Sequence, residues 1–166
     1  MAKSTAKPKS KARSRAKPAA GRASARRRIK PVTRGKPKAP RKQTFVASHF
    51  DEGDFKQGLR RYAKYRDLGI AAATNGLAVA HVIRMVPPCD PAEVSKRHFH
   101  DVDFQMVYVL RGWIKGEYEG AGVVTMREGS CWLQPPGIKH TVLDYSDDCE
   151  LLEIVLPADF KTVELE

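Results

Sequence analysis

The 166 residues carry a formal net charge of +11, but the charge is segregated: residues 1–43 hold 17 Lys and Arg and no Asp or Glu, whereas the remainder holds 13 basic against 19 acidic side chains, a net −6. No apolar run approaches the ~20 residues of a bilayer-spanning helix, and the basic N-terminus is not followed by the apolar segment of a secretory signal, so the expected compartment is the cytoplasm and no membrane association is expected. Cys89, Cys131 and Cys149 are odd in number and lack CxxC spacing, which fits reduced thiols rather than a disulfide framework.

Residues 1–43 consist mostly of Lys, Arg, Ala, Pro and Ser, contain no aromatic side chain, and cannot bury enough apolar surface to offset chain entropy. A disordered basic tail is expected there. Pro8, Pro18, Pro31, Pro37 and Pro40 argue against the amphipathic helix of an organelle transit peptide. So many cations bind polyanions at low salt through counterion release, making non-specific nucleic acid a candidate partner; the plainer alternative is a solvating extension with no partner. Within the tail, Arg34-Gly35-Lys36-Pro37 resembles a weak variant of the AT-hook core, with Lys36 where that core has Arg. The remaining ~120 residues suit a single domain. We divide it into a lead-in over 44–75 and a β-barrel over 76–160.

In the lead-in, "FDEGDFKQGLRRYAKYRDLG" (50–69) shows both helical and alternating spacing, so a short helix and an edge strand both fit. Thr74, Asn75 and Gly76 mark a turn. From Leu77 the chain becomes a series of short β-prone runs: "LAVAHVIRMV", "FQMVYVLRG", "WIKGEYEG", "VVTMREG", "CWLQPPG", "HTVLDYS" and "CELLEIVLP". Gly, Pro, Asp and Ser separate them at intervals of about eight to twelve residues, as in all-β sandwiches and barrels. No helical crossover is available for a parallel sheet.

The stretch "RHFHDVDFQMVYVLRG" (97–112) places His98 and His100 at i and i+2, the same face of a strand. A third histidine, His140, follows the rigid Pro135–Gly137 corner. Three imidazoles plus the amide oxygen of Gln105 suit one divalent transition metal (Fe, Mn, Ni, Co or Zn) with positions left for water or substrate. The plainer reading, imidazoles that merely fill a barrel interior, leaves each of them in need of a buried hydrogen-bond partner.

His98-x-His100, four residues, Gln105, six residues, Gly112, followed by Gly129, five residues, Pro135, one residue, Gly137, two residues, His140, three residues, Asp144, resembles the two signature motifs of the cupin superfamily. The resemblance covers roughly residues 77–157. It implies an all-β cupin barrel (a double-stranded β-helix or jelly roll), with His98, His100, Gln105 and His140 as metal ligands. Gln105 stands where the family usually has Glu, Asp144 where it often has Asn, and Ala92 where a glycine commonly opens the first motif.

A neutral amide in place of a carboxylate binds the metal less tightly, leaves it a stronger Lewis acid, and disfavours the oxidised iron that oxygen activation uses. The expected chemistry is isomerisation, tautomerisation or a lyase step on a small oxygenated metabolite. Resemblance to cupins with three His and one Gln, some of which open and ketonise unsaturated uronates, adds a sugar-acid-like substrate. Two other functions compete with this reading: a non-catalytic ligand- or metal-sensing module whose tail binds nucleic acid, and an iron-dependent dioxygenase. The acid–base group is not fixed by the sequence. His81, Asp101, Asp103, Tyr108, Tyr118 and Gln134 are open, with Gln134, Tyr108 and His81 the pocket candidates; Gln134 shares strand parity with Trp132. A homodimer, paired through an exposed edge, is the expected assembly.

Overall fold

The computed structural model describes residues 41–58 and 60–165. The expected disordered tail, including its AT-hook-like stretch, lies outside these residues except for positions 41–43, which are exposed and without regular structure. Arg41 there donates a hydrogen bond to the Asn75 carbonyl at 2.8 Å.

All seven β-prone runs from Leu77 onward form strands. In chain order the described strands are β1 (Lys56–Gln57), β2 (Ala63–Asp67), β3 (Val79–Met85), β4 (His98–Asp101), β5 (Phe104–Arg111), β6 (Trp113–Tyr118), β7 (Gly122–Arg127), β8 (Cys131–Leu133), β9 (His140–Tyr145), β10 (Glu150–Leu156) and β11 (Lys161–Glu164). Among the described residues, helix is confined to single turns, α1 (Ile70–Ala73) and α2 (Pro91–Val94), and a 3-10 turn over Glu52–Asp54. None is long and apolar enough to cross a membrane.

The strands make two antiparallel sheets, in the orders β1-β2-β3-β10-β5-β8 and β11-β4-β9-β6-β7. Alternation dictates what each strand sends inward. On β5, Gln105, Val107 and Val109 are buried while Phe104, Tyr108 and Leu110 face out. The core joins Ile83, Met85, Val107, Val109 and Leu151 of the six-stranded sheet to Ile114, Tyr118, Met126 and Tyr145 of the five-stranded one. Gly112 turns the chain from β5 to β6 with φ +68, and a Cβ there would meet Ser146 Oγ at 2.1 Å, so glycine is required twice over.

Two features exceed the sequence reading. The ambiguous segment 50–69 holds both a 3-10 turn (Glu52–Asp54) and two strands, β1 and β2, of which β2 pairs along β3 from Ala63↔Met85 to Asp67↔His81 and extends the sheet. At the other end, β11 lies beyond the expected limit at 160 and pairs with β4, Thr162 opposite His100 and Glu164 opposite His98.

Candidate metal centre

Register brings the histidines together. His98 on β4 is directly opposite His140 on β9, and His100 lies two residues along β4 on the same face. Ligand nitrogens of His98, His100 and His140 all lie within 4.8 Å of one another. The rings pack at centroid distances of 4.3 Å (His98 and His140), 5.1 Å (His98 and His100) and 5.2 Å (His100 and His140).

Each imidazole is held from behind. His98 Nδ1 donates to the Lys96 carbonyl at 2.8 Å and His140 Nδ1 to the Ile138 carbonyl at 3.0 Å. A carbonyl can only accept, so both rings carry their proton on Nδ1 and leave the Nε2 lone pair for another partner. His100 Nδ1 lies 3.0 Å from Thr162 Oγ1, a hydroxyl that can donate or accept, so this contact orients the ring without fixing its tautomer. Burial lowers the pKa of all three, to about 4 for His100 and His140, so the rings are neutral near pH 7. Neutral imidazoles with outer hydrogen bonds, two of them with the tautomer fixed, are what a first-row divalent ion takes, so the donor set fits a metal.

The opposite wall is different. Gln105, 1% exposed, donates from Nε2 to Glu153 Oε1 at 2.7 Å. His81 Nε2 lies 2.6 Å from Glu153 Oε2. Burial pushes the Glu153 carboxyl up, but His81 and Gln105 outweigh it and hold the pKa below its usual value, so the group is ionised and accepts from both neighbours. Because a carboxylate cannot donate, the Gln105 amide is turned with its NH₂ to Glu153 and its oxygen away. Pairing explains the convergence: Glu153 is directly opposite His81 on β3 and opposite Val107 on β5, one diagonal step from Gln105.

These groups line one cavity of about 340 Å³ between the sheets. His98, His100, Gln105, His140, Gln134 and His81 all reach it. Gln134 is 4% exposed, accepts from Trp132 Nε1 at 3.0 Å and has Nε2 3.3 Å from His140 Nε2. Tyr118 stacks on His140 at 5.7 Å with an 11° interplanar angle, and burial raises its pKa to about 12. Tyr108 is a correction. It has the opposite parity to Gln105 on β5, is 38% exposed, and does not line the cavity. Asp101 and Asp103 are exposed and also outside it.

Glu153, Thr162 and Arg60 were not singled out from the sequence. The signal for Glu153 was present in "CELLEIVLP", where it shares parity with the core residues Leu151 and Val155. Cys89, Cys131 and Cys149 are all free thiols, and none lines the cavity.

Residues 89–155 match the family model described as the cupin domain. Three solved structures show the same fold. KdgF from Halomonas sp. aligns at 18% identity over 66% of this chain and 94% of its own, with a TM-score of 0.52. The polyketide cyclase RemF from Streptomyces resistomycificus aligns at 16% identity over 73% and 87%, with a TM-score of 0.56. Oxalate decarboxylase from Bacillus subtilis aligns at 18% identity over 76% of this chain but only 34% of its own, with a TM-score of 0.54. No curated protein matches the chain significantly.

Proposed function

We propose, from the match of residues 89–155 to the cupin domain, that His98, His100, His140 and Gln105 hold one divalent transition metal and that the protein is an enzyme of isomerase, tautomerase or lyase type acting on a small oxygenated metabolite. The observation that carries this reading is the meeting of three imidazoles, each tied back through Nδ1, across a cavity from an oriented amide. When bound, the metal supplies Lewis acidity to a carbonyl, hydroxyl or enediol oxygen.

The protein's own groups supply the rest. Tyr118, Trp132 and Phe160 make apolar walls that exclude water and orient a flat substrate. The Gln134 amide, its carbonyl engaged by Trp132, keeps its N–H₂ beside His140. His81 and Glu153 form the acid–base couple, their contact at 2.6 Å lying in the cavity wall: in enolisation the couple takes the proton from a substrate carbon and returns one to the substrate oxygen, with no net change in its own protonation. The neighbours named polyketide cyclase and oxalate decarboxylase are enzymes built on this fold, which supports catalysis over sensing.

Purification without added metal, elemental analysis, and assay of hydroxy, keto and sugar acids with and without oxygen test the proposal. Stoichiometric metal and oxygen-independent conversion are expected. Turnover that requires oxygen makes the protein an iron dioxygenase instead, and metal with tight ligand binding but no turnover makes it a sensor.

The same proposal includes a cytoplasmic homodimer whose basic tail binds polyanions. Exposed Phe104, Tyr108 and Leu110 on β5 and Leu133 on β8 form an apolar outer face that supports pairing. Light scattering tests the dimer, and deletion of residues 1–43 should remove salt-sensitive heparin binding.

A further inference from the structure

Arg60 lies between β1 and β2, where its side chain is 11% exposed and lines the cavity that holds the three histidines. Its Nη1 is ion-paired with Glu164, the β11 residue directly opposite His98, so the guanidinium is fixed at the histidine end of the cavity. Its Nη2 is buried and has no hydrogen-bond partner among the described residues. A buried guanidinium N–H left without an acceptor is costly.

The electrostatics of the cavity give the same direction. Of its charged lining residues of fixed sign, Arg60 is offset by Glu164, which leaves the single negative charge of Glu153. Glu153 is already engaged by His81 and Gln105 and faces the other wall. A dication on the neutral set proposed above adds two positive charges that no ligand carboxylate cancels. The cavity is therefore cationic overall and complementary to an anion. Its volume of about 340 Å³ is at the small end of the ~300–1,000 Å³ range of ligand sites.

We propose that Arg60 is the substrate's carboxylate anchor, and hence that the substrate is a small oxygenated carboxylic acid whose carboxylate accepts from Nη2 once the guanidinium turns toward the cavity, while a neighbouring hydroxyl or carbonyl oxygen is directed at the histidine cluster. A carboxylate suits the site better than a phosphate. Nη1 is committed to Glu164, and one open edge of a planar guanidinium matches a planar acceptor. Specificity follows from the same atom, because an uncharged analogue would leave Nη2 unpaired in the occupied cavity. The metal half of this arrangement rests on the function proposed above; the anchor itself rests on Arg60.

The test is calorimetric titration of the full-length protein with galacturonate, galactose and inorganic phosphate, with metal content measured on the same samples. Galacturonate should bind at least about 10-fold more tightly than galactose, and Arg60→Gln should weaken galacturonate by about 10- to 100-fold without changing galactose binding or metal content. Glu164→Gln, at an exposed position, should tighten galacturonate several-fold by freeing the guanidinium of its partner. This second variant keeps the idea testable if Arg60→Gln does not fold. Equal binding of the two sugars, no response to either substitution, or phosphate binding as tightly through Arg60 would overturn the assignment. Protein that lacks metal yet shows Arg60-dependent galacturonate binding would refute the metal reading and leave the anchor standing.

Discussion

The two sheets meet at one cavity but hold their polar groups by opposite means. On the five-stranded sheet, His98 and His140 are fixed by carbonyls of their own chain two residues earlier, contacts that persist whatever the surrounding side chains are. On the six-stranded sheet, Gln105, Glu153 and His81 hold one another through side chains alone, across three neighbouring strands. The first wall is a set of donors that the backbone would orient in any case. The second is a network that stands or falls as a unit, and it contains the negative charge that the ligand set lacks, placed one side chain behind Gln105.

The largest expected effect separates the walls outright. His100→Ala should abolish stoichiometric metal binding, a loss beyond the ~10- to 100-fold typical of an outer partner, while the circular dichroism spectrum and urea midpoint stay near wild type. Glu153→Gln should do both kinds of damage. It leaves His81 without its anion and lets the Gln105 amide rotate, so metal affinity should fall by about 10- to 100-fold and stability by about 1–3 kcal/mol in urea. A Glu153→Gln protein as stable as wild type would show that the network contributes nothing to the fold.

Position 105 sharpens the contrast. From the sequence alone, Gln105→Glu introduces a charge that simply attracts the metal. The structure changes that expectation, because the new carboxylate would face Glu153 across the 2.7 Å now spanned by a hydrogen bond. Two carboxylates so placed cannot both ionise without a shared proton. Gln105→Glu should therefore destabilise the protein by about 1–3 kcal/mol and tighten the metal little. The exchange variant Gln105→Glu/Glu153→Gln keeps the net charge and the hydrogen bond but moves the carboxylate into the ligand set. It should recover the stability lost to repulsion between positions 105 and 153 but not that lost at His81, bind metal more tightly than wild type, and turn over more slowly, since added negative charge weakens the metal's hold on developing oxyanion character. A double-mutant cycle on urea midpoints and chelator competition reads the coupling directly.

What the sequence discloses follows the same division. Strands were legible wherever β-branched runs ended in Gly or Pro, and the clustering of the histidines was legible because strand parity and the Pro135–Gly137 corner act locally. Long-range side-chain pairing was not. Glu153 in an apolar strand gives no hint of its two partners, since His81 and Gln105 reach it only through the order β3-β10-β5. The short strand β11, "KTVE", has too little alternation to announce itself, and Arg60 sits in a turn where an arginine is ordinarily solvated. Tyr108 misled for the reverse reason: its residue type suits acid–base work, while its parity, odd to Gln105, had already turned it outward.

The smallest effect probes the one histidine that does not follow its wall's rule. His100 is oriented by a side chain, Thr162 of β11, rather than by a backbone carbonyl, so it alone of the three can lose its outer partner by substitution. Thr162→Val keeps the shape and β-branching of the residue and removes the hydroxyl. With Nδ1 unpaired, the ring gains freedom about χ2, so metal affinity measured by chelator competition should fall by about 10-fold, the low end for an outer partner. Thr162→Ser restores a hydroxyl at the same atom and should recover most of that loss, which separates hydrogen bonding from packing. Phe160 provides the competing restraint, its ring 5.6 Å from His100 at a 77° angle. If Thr162→Val binds metal as tightly as wild type, that edge contact and the β4-β11 pairing orient His100 by themselves, and the five-stranded wall needs no side-chain hydrogen bond at all.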